Sequence, residues 1–147
     1  MKNILVGIDF SEPDKVVMGH ALKLARATQS KVHLLHVVPP ESLNLAYGEY
    51  IKPPSASERK QLLVDLRHKI DVVAADLKEQ ALDVQADIVE DGCAARALLE
   101  YAKENACGSI FLGTHSRNLV ERMILGSTAE RVIRRSTIPV FVIPTIA

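Results

Sequence analysis

The sequence predicts an α/β fold: an open five-stranded parallel sheet with helices on both faces, Rossmann-like or flavodoxin-like, with strand order 3-2-1-4-5. Short apolar runs alternate along the chain with longer segments whose apolar residues recur at the helical period. Because crossovers between parallel strands are right-handed, few topologies fit this alternation. The length of 147 residues is enough for a proper core, so a single domain is expected over residues 1–147.

The first third of the chain is predicted to form a strand, a helix and a second strand. Residues 3–8 are a continuous apolar run of the kind that is buried on both faces of a parallel sheet. Ser11 is expected to cap the first helix, with Pro13 in the first turn. The second strand is predicted over residues 31–38, and the pair Pro39-Pro40 ends it.

The composition changes over residues 39–57, where four prolines lie among polar residues without a clear period. A loop of this length in a compact domain is usually functional or disordered. This variable loop could cover a ligand as a lid, or it could be a mobile insertion. Ser57 is then expected to cap a long helix that ends at about Ala81, and residues 83–90 alternate as a strand near a sheet edge does.

The second half of the chain repeats the pattern. Gly92 turns the chain into a third helix, which is expected to close near Gly108, and an apolar strand follows over residues 109–112. The last helix is predicted to end around residues 134–135, two arginines that suit the negative end of a helix dipole. The final strand is predicted over residues 138–143.

A candidate anion site lies between the fourth strand and the last helix. Gly113 follows the strand, and glycine there allows backbone amides to approach a ligand closely. After a polar loop, Gly126 precedes Ser127, which is expected to cap the helix in a capping box with Glu130. A helix start attracts phosphate, although an ordinary strand-to-helix connection has the same residues. If strands one and four flank the reversal of strand order, Asp9 lies in the same crevice.

Several classes of function are disfavoured. Lysine plus arginine equals aspartate plus glutamate at 18 each, so we expect neither nucleic acid nor a membrane surface as a partner. No apolar run approaches the ~20 residues of a membrane span, and no signal peptide is expected. Cys93 and Cys107 have neither metal nor redox spacing, which is typical of thiols in a reducing cytoplasm. P-loop and dinucleotide motifs are absent, and no catalytic or metal-ligating residues are predicted.

Three segments resemble the universal stress protein family. Residues 4–11, Ile-Leu-Val-Gly-Ile-Asp-Phe-Ser, are similar to the first strand of that family, and residues 34–37 are similar to the end of its second strand. The closing residues 139–143 are similar to its last strand. The resemblance covers nearly the whole chain, with residues 39–57 as the exception.

The most specific match is to the nucleotide motif of the family, which is glycine, two residues, glycine, nine residues, glycine, then serine or threonine. Here Gly113, Gly126 and Ser127 occupy their places, but Ser116 replaces the second glycine. A serine held at positive φ costs roughly 1 kcal/mol or more, and its Cβ could crowd a phosphate. Its hydroxyl could equally donate to a phosphate oxygen. The alternative function is therefore a dimeric interaction protein that binds no nucleotide.

The resemblance implies a cytoplasmic stress-response protein that binds ATP or AMP with a divalent cation such as Mg²⁺, and that is regulatory, with at most a slow ATPase activity. It implies that Asp9 lies against the nucleoside and that the backbone of Val37 meets the adenine. Arg122 could add positive charge near a polyphosphate. The full set of expected contact residues is Gly7, Ile8, Asp9, Val37, Leu112, Gly113, His115, Ser116, Arg117, Gly126, Ser127 and Thr128.

The last strand, Ile138 to Ile143, is also the predicted interface of a homodimer. It carries no charge, and as the final strand of an open sheet it is expected at an edge. Pairing with its own copy about a two-fold axis would cover that edge, and the resemblance implies a homodimer as well. Alternatively, a helix or the loop over residues 39–57 covers the edge and the protein is a monomer.

Overall fold

The computed structural model describes residues 2–40, 54–114 and 125–144. Five strands and four helices alternate along these residues. Their bounds are β1 Asn3–Gly7, α1 Asp14–Thr28, β2 Val32–Val38, α2 Ala56–Glu79, β3 Val84–Glu90, α3 Ala94–Glu104, β4 Cys107–Gly113, α4 Ser127–Arg135 and β5 Val140–Ile143. Within the described residues no helix combines the length and the apolar character that crossing a membrane requires.

The strands form one parallel sheet in the order β3-β2-β1-β4-β5, which confirms the predicted fold class and strand order. From β1 the chain first builds outwards through β2 and β3. It then returns to the other side of β1 and builds β4 and β5. Val6 on β1 pairs with Leu34 on β2 and with Phe111 on β4, so the order reverses between β1 and β4. A crevice at the carboxyl ends of these strands is the usual ligand site of such sheets.

Two apolar cores lie on opposite faces of the sheet. Ile4 and Val6 belong to the core that packs under α1 and α2, whereas Leu5 belongs to the core under α3 and α4. All three side chains are at most 2% exposed. Burial on both faces explains why β1 is a continuous apolar run rather than an alternating one.

The helix starts differ from the predicted caps. Pro13, not Ser11, is the N-cap of α1, and no side chain of the described residues caps that helix. The cap of α2 is Ser55, whose hydroxyl accepts from the backbone N–H of Glu58 at 3.2 Å in a complete capping box. The expected cap, Ser57, lies inside the helix instead. Ser55 has the extended backbone that a cap requires, with a glutamate three residues later.

The strands and turns of the second half also have different bounds. The third helix ends at Glu104, and Gly108 lies within β4, where an added Cβ would come 2.5 Å from Cβ of Lys2. The turn between α3 and β4 is made by Ala106 at φ 51°. The last strand begins at Val140 rather than Ile138, because the Ser136 hydroxyl donates to the carbonyl of Ile138 at 2.7 Å and accepts from its N–H at 3.1 Å.

Part of the predicted variable loop, residues 41–53, lies outside the described residues, so its role stays a prediction. The chain just before it is held by Arg59 on α2. This side chain donates to the carbonyl oxygen of Pro39 at 2.9 Å and forms an ion pair with Glu90 at 3.1 Å.

Cys93 and Cys107 are free thiols, and burial raises the pKa of Cys107 to about 11.

Candidate nucleotide site

A cavity of about 230 Å³ lies at the carboxyl ends of β1, β2 and β4, between the starts of α1, α3 and α4. Nine of the twelve predicted contact residues line it. These are Gly7, Ile8, Asp9, Val37, Leu112, Gly113, Gly126, Ser127 and Thr128. The other three, His115, Ser116 and Arg117, lie outside the described residues, as does Arg122. The structure thus brings distant parts of the chain to one cavity, and the contact of each residue with a ligand remains a prediction.

Gly7 forms part of the cavity floor because a side chain has no room there. A Cβ on this residue would lie 2.7 Å from Cδ2 of Leu112 and 3.2 Å from Cδ2 of Leu98. Those two leucines, on β4 and α3, both line the cavity. They therefore supply an apolar floor directly beside the backbone of β1.

The start of α4 provides the candidate anion site, but through a different residue than predicted. Gly126 is the N-cap, with φ 80° and ψ 143°, and no side chain caps the helix among the described residues. Ser127 is the first helical residue. Glu130 forms no capping box with it; its carboxylate instead accepts from Arg134 at 2.8 Å. A positive φ favours glycine, and a helix start without a side-chain cap leaves backbone N–H groups available to an anion.

The loop after β1 is held by a side chain that is not among the predicted site residues. Asp14 lies in the first turn of α1 and lines the cavity. Its Oδ2 accepts from the backbone N–H of Asp9 at 3.1 Å and from that of Phe10 at 2.7 Å. The carboxylate of Asp9 in turn accepts from the N–H of Ser11 at 3.0 Å and from its hydroxyl. An acidic residue in the first turn of a helix was visible in the sequence, but its reach back to the loop was not.

The two carboxylates at this end of the cavity affect each other. Burial of Asp14, and then the negative charge of Asp9, raise the pKa of Asp14 from 3.8 to about 6. Loss of water and a like charge both disfavour ionisation of an acid. This end of the cavity therefore contains one group that titrates just below neutral pH.

The wall opposite this loop is formed by the end of β2. Leu35, His36 and Val37 line the cavity there. The ring of His36 donates a hydrogen bond from Nδ1 to the carbonyl oxygen of Ile8 at 2.8 Å and packs against the ring of Phe10, with 4.7 Å between centroids. An apolar floor, a wall formed by the end of β2 and an anion-attracting helix start suit a ligand with a flat ring at one end and negative charge at the other.

The described residues do not form a metal site by themselves. Among them, no group of three or more histidine, cysteine, aspartate or glutamate side chains could hold a metal ion. Gly126 begins α4 without a side-chain cap among the described residues, and Ser127 and Thr128 line the cavity beside it, an arrangement that suits a phosphate group. A cation at this site would need ligand oxygens to complete its coordination, as Mg²⁺ does when it binds with substrate phosphates.

The profile of the universal stress protein family matches residues 1–144. Universal stress protein MJ0577 of Methanocaldococcus jannaschii is 25% identical over 153 residues, which cover 97% of this chain and 94% of that protein. The solved structure of MJ0577 superposes with a TM-score of 0.80 at 23% identity, covering 99% of this chain and 97% of the other. At that identity the structural likeness shows the fold.

Two similar structures contain nucleotides. A universal stress protein from Archaeoglobus fulgidus, solved in complex with dAMP, has a TM-score of 0.69 and 16% identity, with 97% of each chain covered. Another universal stress protein, solved in complex with cAMP, has a TM-score of 0.66 and 19% identity, with 99% of this chain and 98% of that chain covered.

Proposed function

This chain belongs to the universal stress protein family, and from that premise we propose that it is a cytoplasmic stress-response protein that binds ATP or AMP with a divalent cation. The nucleotide occupies the cavity between β1 and β4. Its role is regulatory, and hydrolysis is at most slow. The protein acts as a homodimer through the C-terminal strand.

The start of α4 is the observation that carries the proposal. Gly126 holds a positive φ, and the helix it begins has no side-chain cap among the described residues, so its first amides suit phosphate oxygens. In this arrangement Gly113, Ser127 and Thr128 lie with Gly126 around the phosphates. The nucleoside lies between Asp9 and Val37, which line the same cavity.

The two complexes support the choice of ligand, because dAMP and cAMP share the adenine base and a phosphate with ATP and AMP. A bound Mg²⁺ would neutralise phosphate charge, with phosphate oxygens and the Ser127 and Thr128 hydroxyls as its oxygen ligands. Such an ion would also reduce the repulsion between a polyanion and the carboxylates of Asp9 and Asp14, which line the cavity.

Calorimetry with Mg²⁺ and ATP at millimolar concentration tests the proposal. Saturable heat is expected for the wild type. Gly126→Val should abolish it, because a β-branched side chain at φ 80° would be strained and would occupy the phosphate position. Gly19→Val is the matched control, since nothing lies within 4 Å of a Cβ added there. A silent titration of the wild type, together with an unchanged melting temperature, contradicts nucleotide binding.

Ser116 separates this proposal from the alternative of a dimeric interaction protein with an empty crevice. Ser116→Gly restores the family motif and should preserve or strengthen ATP binding. Clear weakening would identify the serine hydroxyl as a ligand contact. If wild type and Ser116→Gly are both silent while the protein remains a dimer, the alternative function holds.

Slow hydrolysis is the second expectation. Asp9 is a possible base in the described part of the cavity, with the Ser11 hydroxyl bound to it, but Asp9 is assigned to the nucleoside end and is therefore too far from the γ-phosphate for that role. A phosphate-release assay with Mg²⁺ and ATP should give turnover far below the ~10 per second typical of enzymes. Rapid Mg²⁺-dependent turnover would overturn the regulatory assignment.

A further inference from the structure

The loop between β1 and α1, residues 8–13, carries Asp9 into the cavity, and a single oxygen atom fixes its backbone. Oδ2 of Asp14 accepts from the N–H of Asp9 at 3.1 Å and from the N–H of Phe10 at 2.7 Å. Both distances are those of normal or strong hydrogen bonds. A carboxylate that binds two consecutive amides restrains the orientation of both peptide planes.

The loop needs such a restraint because Phe10 is in the left-handed region, at φ 64°. A non-glycine residue there is strained, and the conformation persists only where the surroundings hold it. The bond to Asp14 is the shorter of the two and is made by this same residue. The Phe10 ring is also held, since it packs against His36 and lies 5.9 Å from Nζ of Lys69.

Backbone and side chain of Asp9 are therefore fixed by different residues. The backbone N–H is bound by Asp14, whereas the carboxylate accepts from the N–H of Ser11 at 3.0 Å and from the Ser11 hydroxyl. If the bond to Asp14 were lost, Phe10 could relax towards negative φ. The peptide that precedes it belongs to Asp9, so relaxation would turn Asp9 away from its place on the cavity wall.

We infer that Asp14 is a positioning residue for the nucleotide site, and that its carboxylate oxygen sets the orientation of Asp9 by holding the two loop amides. The expected effect of Asp14 on nucleotide affinity rests on the proposed function. The restraint of the loop by Asp14 does not depend on that function, because it is present in the protein without ligand.

The charge state of Asp14 follows from the groups that face it. Asp9 lies in the loop, His36 faces the loop from β2, and Lys69 faces it from α2. On the segment of Asp14 itself, Glu12 and Lys15 form an exposed ion pair with each other at 3.2 Å. Burial, and then Asp9, raise the pKa of Asp14 to about 6. A protonated carboxyl is a weaker acceptor than a carboxylate, so the hold on the loop weakens as the pH falls through about 6.

Two variants separate the acceptor from the charge. Asp14→Asn keeps an oxygen acceptor and cannot titrate, whereas Asp14→Ala removes the acceptor. Adenosine is the probe, because it carries no phosphate whose charge changes near pH 6. At pH 7.5 we expect Asp14→Ala to bind adenosine roughly tenfold more weakly than wild type and Asp14→Asn to stay within about threefold. Wild type should lose affinity between pH 7.5 and 5, and Asp14→Asn should not.

The ligand-free protein gives the second measurement. In NMR spectra the amide protons of Asp9 and Phe10 should shift with a midpoint near pH 6 in wild type and stay constant in Asp14→Asn. A melting curve for each variant shows whether it is folded. If these amides titrate but wild type binds neither adenosine nor ATP, the nucleotide function fails and the positioning of the loop stands. The inference is overturned if the amides do not titrate, if Asp14→Ala binds as wild type does, or if Asp14→Asn and Asp14→Ala lose affinity equally.

Discussion

Asp14 is ionised at neutral pH at a cost to the folded state. Its folded pKa, about 6, lies above the ordinary value of 3.8, so the folded chain binds the proton more tightly than the unfolded chain. Stability from this group is therefore present below pH ~4, falls as the pH rises from about 4 to 6, and stays lower above that.

Asp14→Asn should accordingly be more stable than wild type at pH 7. Because the carboxyl is only half-buried, we discount the effect of the pKa shift to about 1 kcal/mol, or a melting temperature ~3 °C higher. The difference should vanish as the pH is lowered to 4. Glu12→Gln is the control, since that carboxylate is exposed on the same segment. A constant difference between Asp14→Asn and wild type from pH 4 to 7 would contradict the assignment.

The place of a residue in the site could be predicted where it follows from the backbone pattern. It could not be predicted where a side chain reaches across a turn. Gly7 and Gly113 follow from the place where an apolar strand ends, and both line the cavity. The capping box of Ser127 with Glu130 was wrong because Gly126 adopts a positive φ and takes the N-cap position itself. The bonds from Asp14 to the loop depend on the left-handed Phe10, which no local sequence preference indicates.

Among the elements, α3 is joined to the sheet by a hydrogen-bonded chain of three polar side chains, of which Tyr101 and His33 are buried. The Tyr101 hydroxyl donates to Asp87 on β3, and it lies 3.0 Å from Nδ1 of His33 on β2. His33 is 2% exposed, and its Nε2 has no hydrogen-bond partner among the described residues. Burial lowers the pKa of His33 and raises that of Tyr101. The link from His33 to α3 was not visible in the sequence.

Tyr101→Phe should lower the free energy of unfolding by about 1–3 kcal/mol, because it leaves a second ring nitrogen of His33 buried without a partner. The phenyl ring is retained, so the packing of α3 changes little. Denaturant unfolding measures the loss. ATP binding should be unaffected, since Tyr101 does not line the cavity between β1 and β4. Unchanged stability would show that the chain of hydrogen bonds contributes nothing net.

The existence of each helix and strand could be predicted from the periodicity of the apolar residues. The residues at which these elements begin and end depend on single contacts. The long helix α2 was expected from residue 57 and begins at Ala56 with Ser55 as its cap. The sequence did contain the cue for Ser55, because Glu58 lies three residues after it and completes the capping box, whereas Lys60 holds that place relative to Ser57. The last strand is shorter than predicted because Ser136 binds the backbone of Ile138 in a turn.

At the scale of the whole molecule, the strand order was predictable because right-handed crossovers and alternating elements leave few sheets. The same rules do not determine whether the edge strand β5 is exposed or pairs with another chain. Within the described residues β5 pairs with β4 alone, from Ile110 with Val140 to Gly113 with Ile143. Phe141 on β5 stacks on Phe111 at 4.5 Å and is still 41% exposed. An uncharged apolar edge strand is a site where another chain can pair.

A homodimer through β5 is therefore the last prediction. Two copies related by a two-fold axis would pair their β5 strands antiparallel, which joins the two sheets and covers Val140 and Val142. Val142→Lys should shift the dimer towards monomer, because an unpaired ammonium at the seam is costly to bury. Val64→Lys is the matched control, since Val64 is 54% exposed on α2, which packs on β3 at the opposite edge of the sheet. Light scattering after size exclusion at tens of micromolar protein measures the mass. A wild-type mass near the 16.1 kDa of one chain would refute the dimer, and equal dissociation of both variants would place the interface elsewhere.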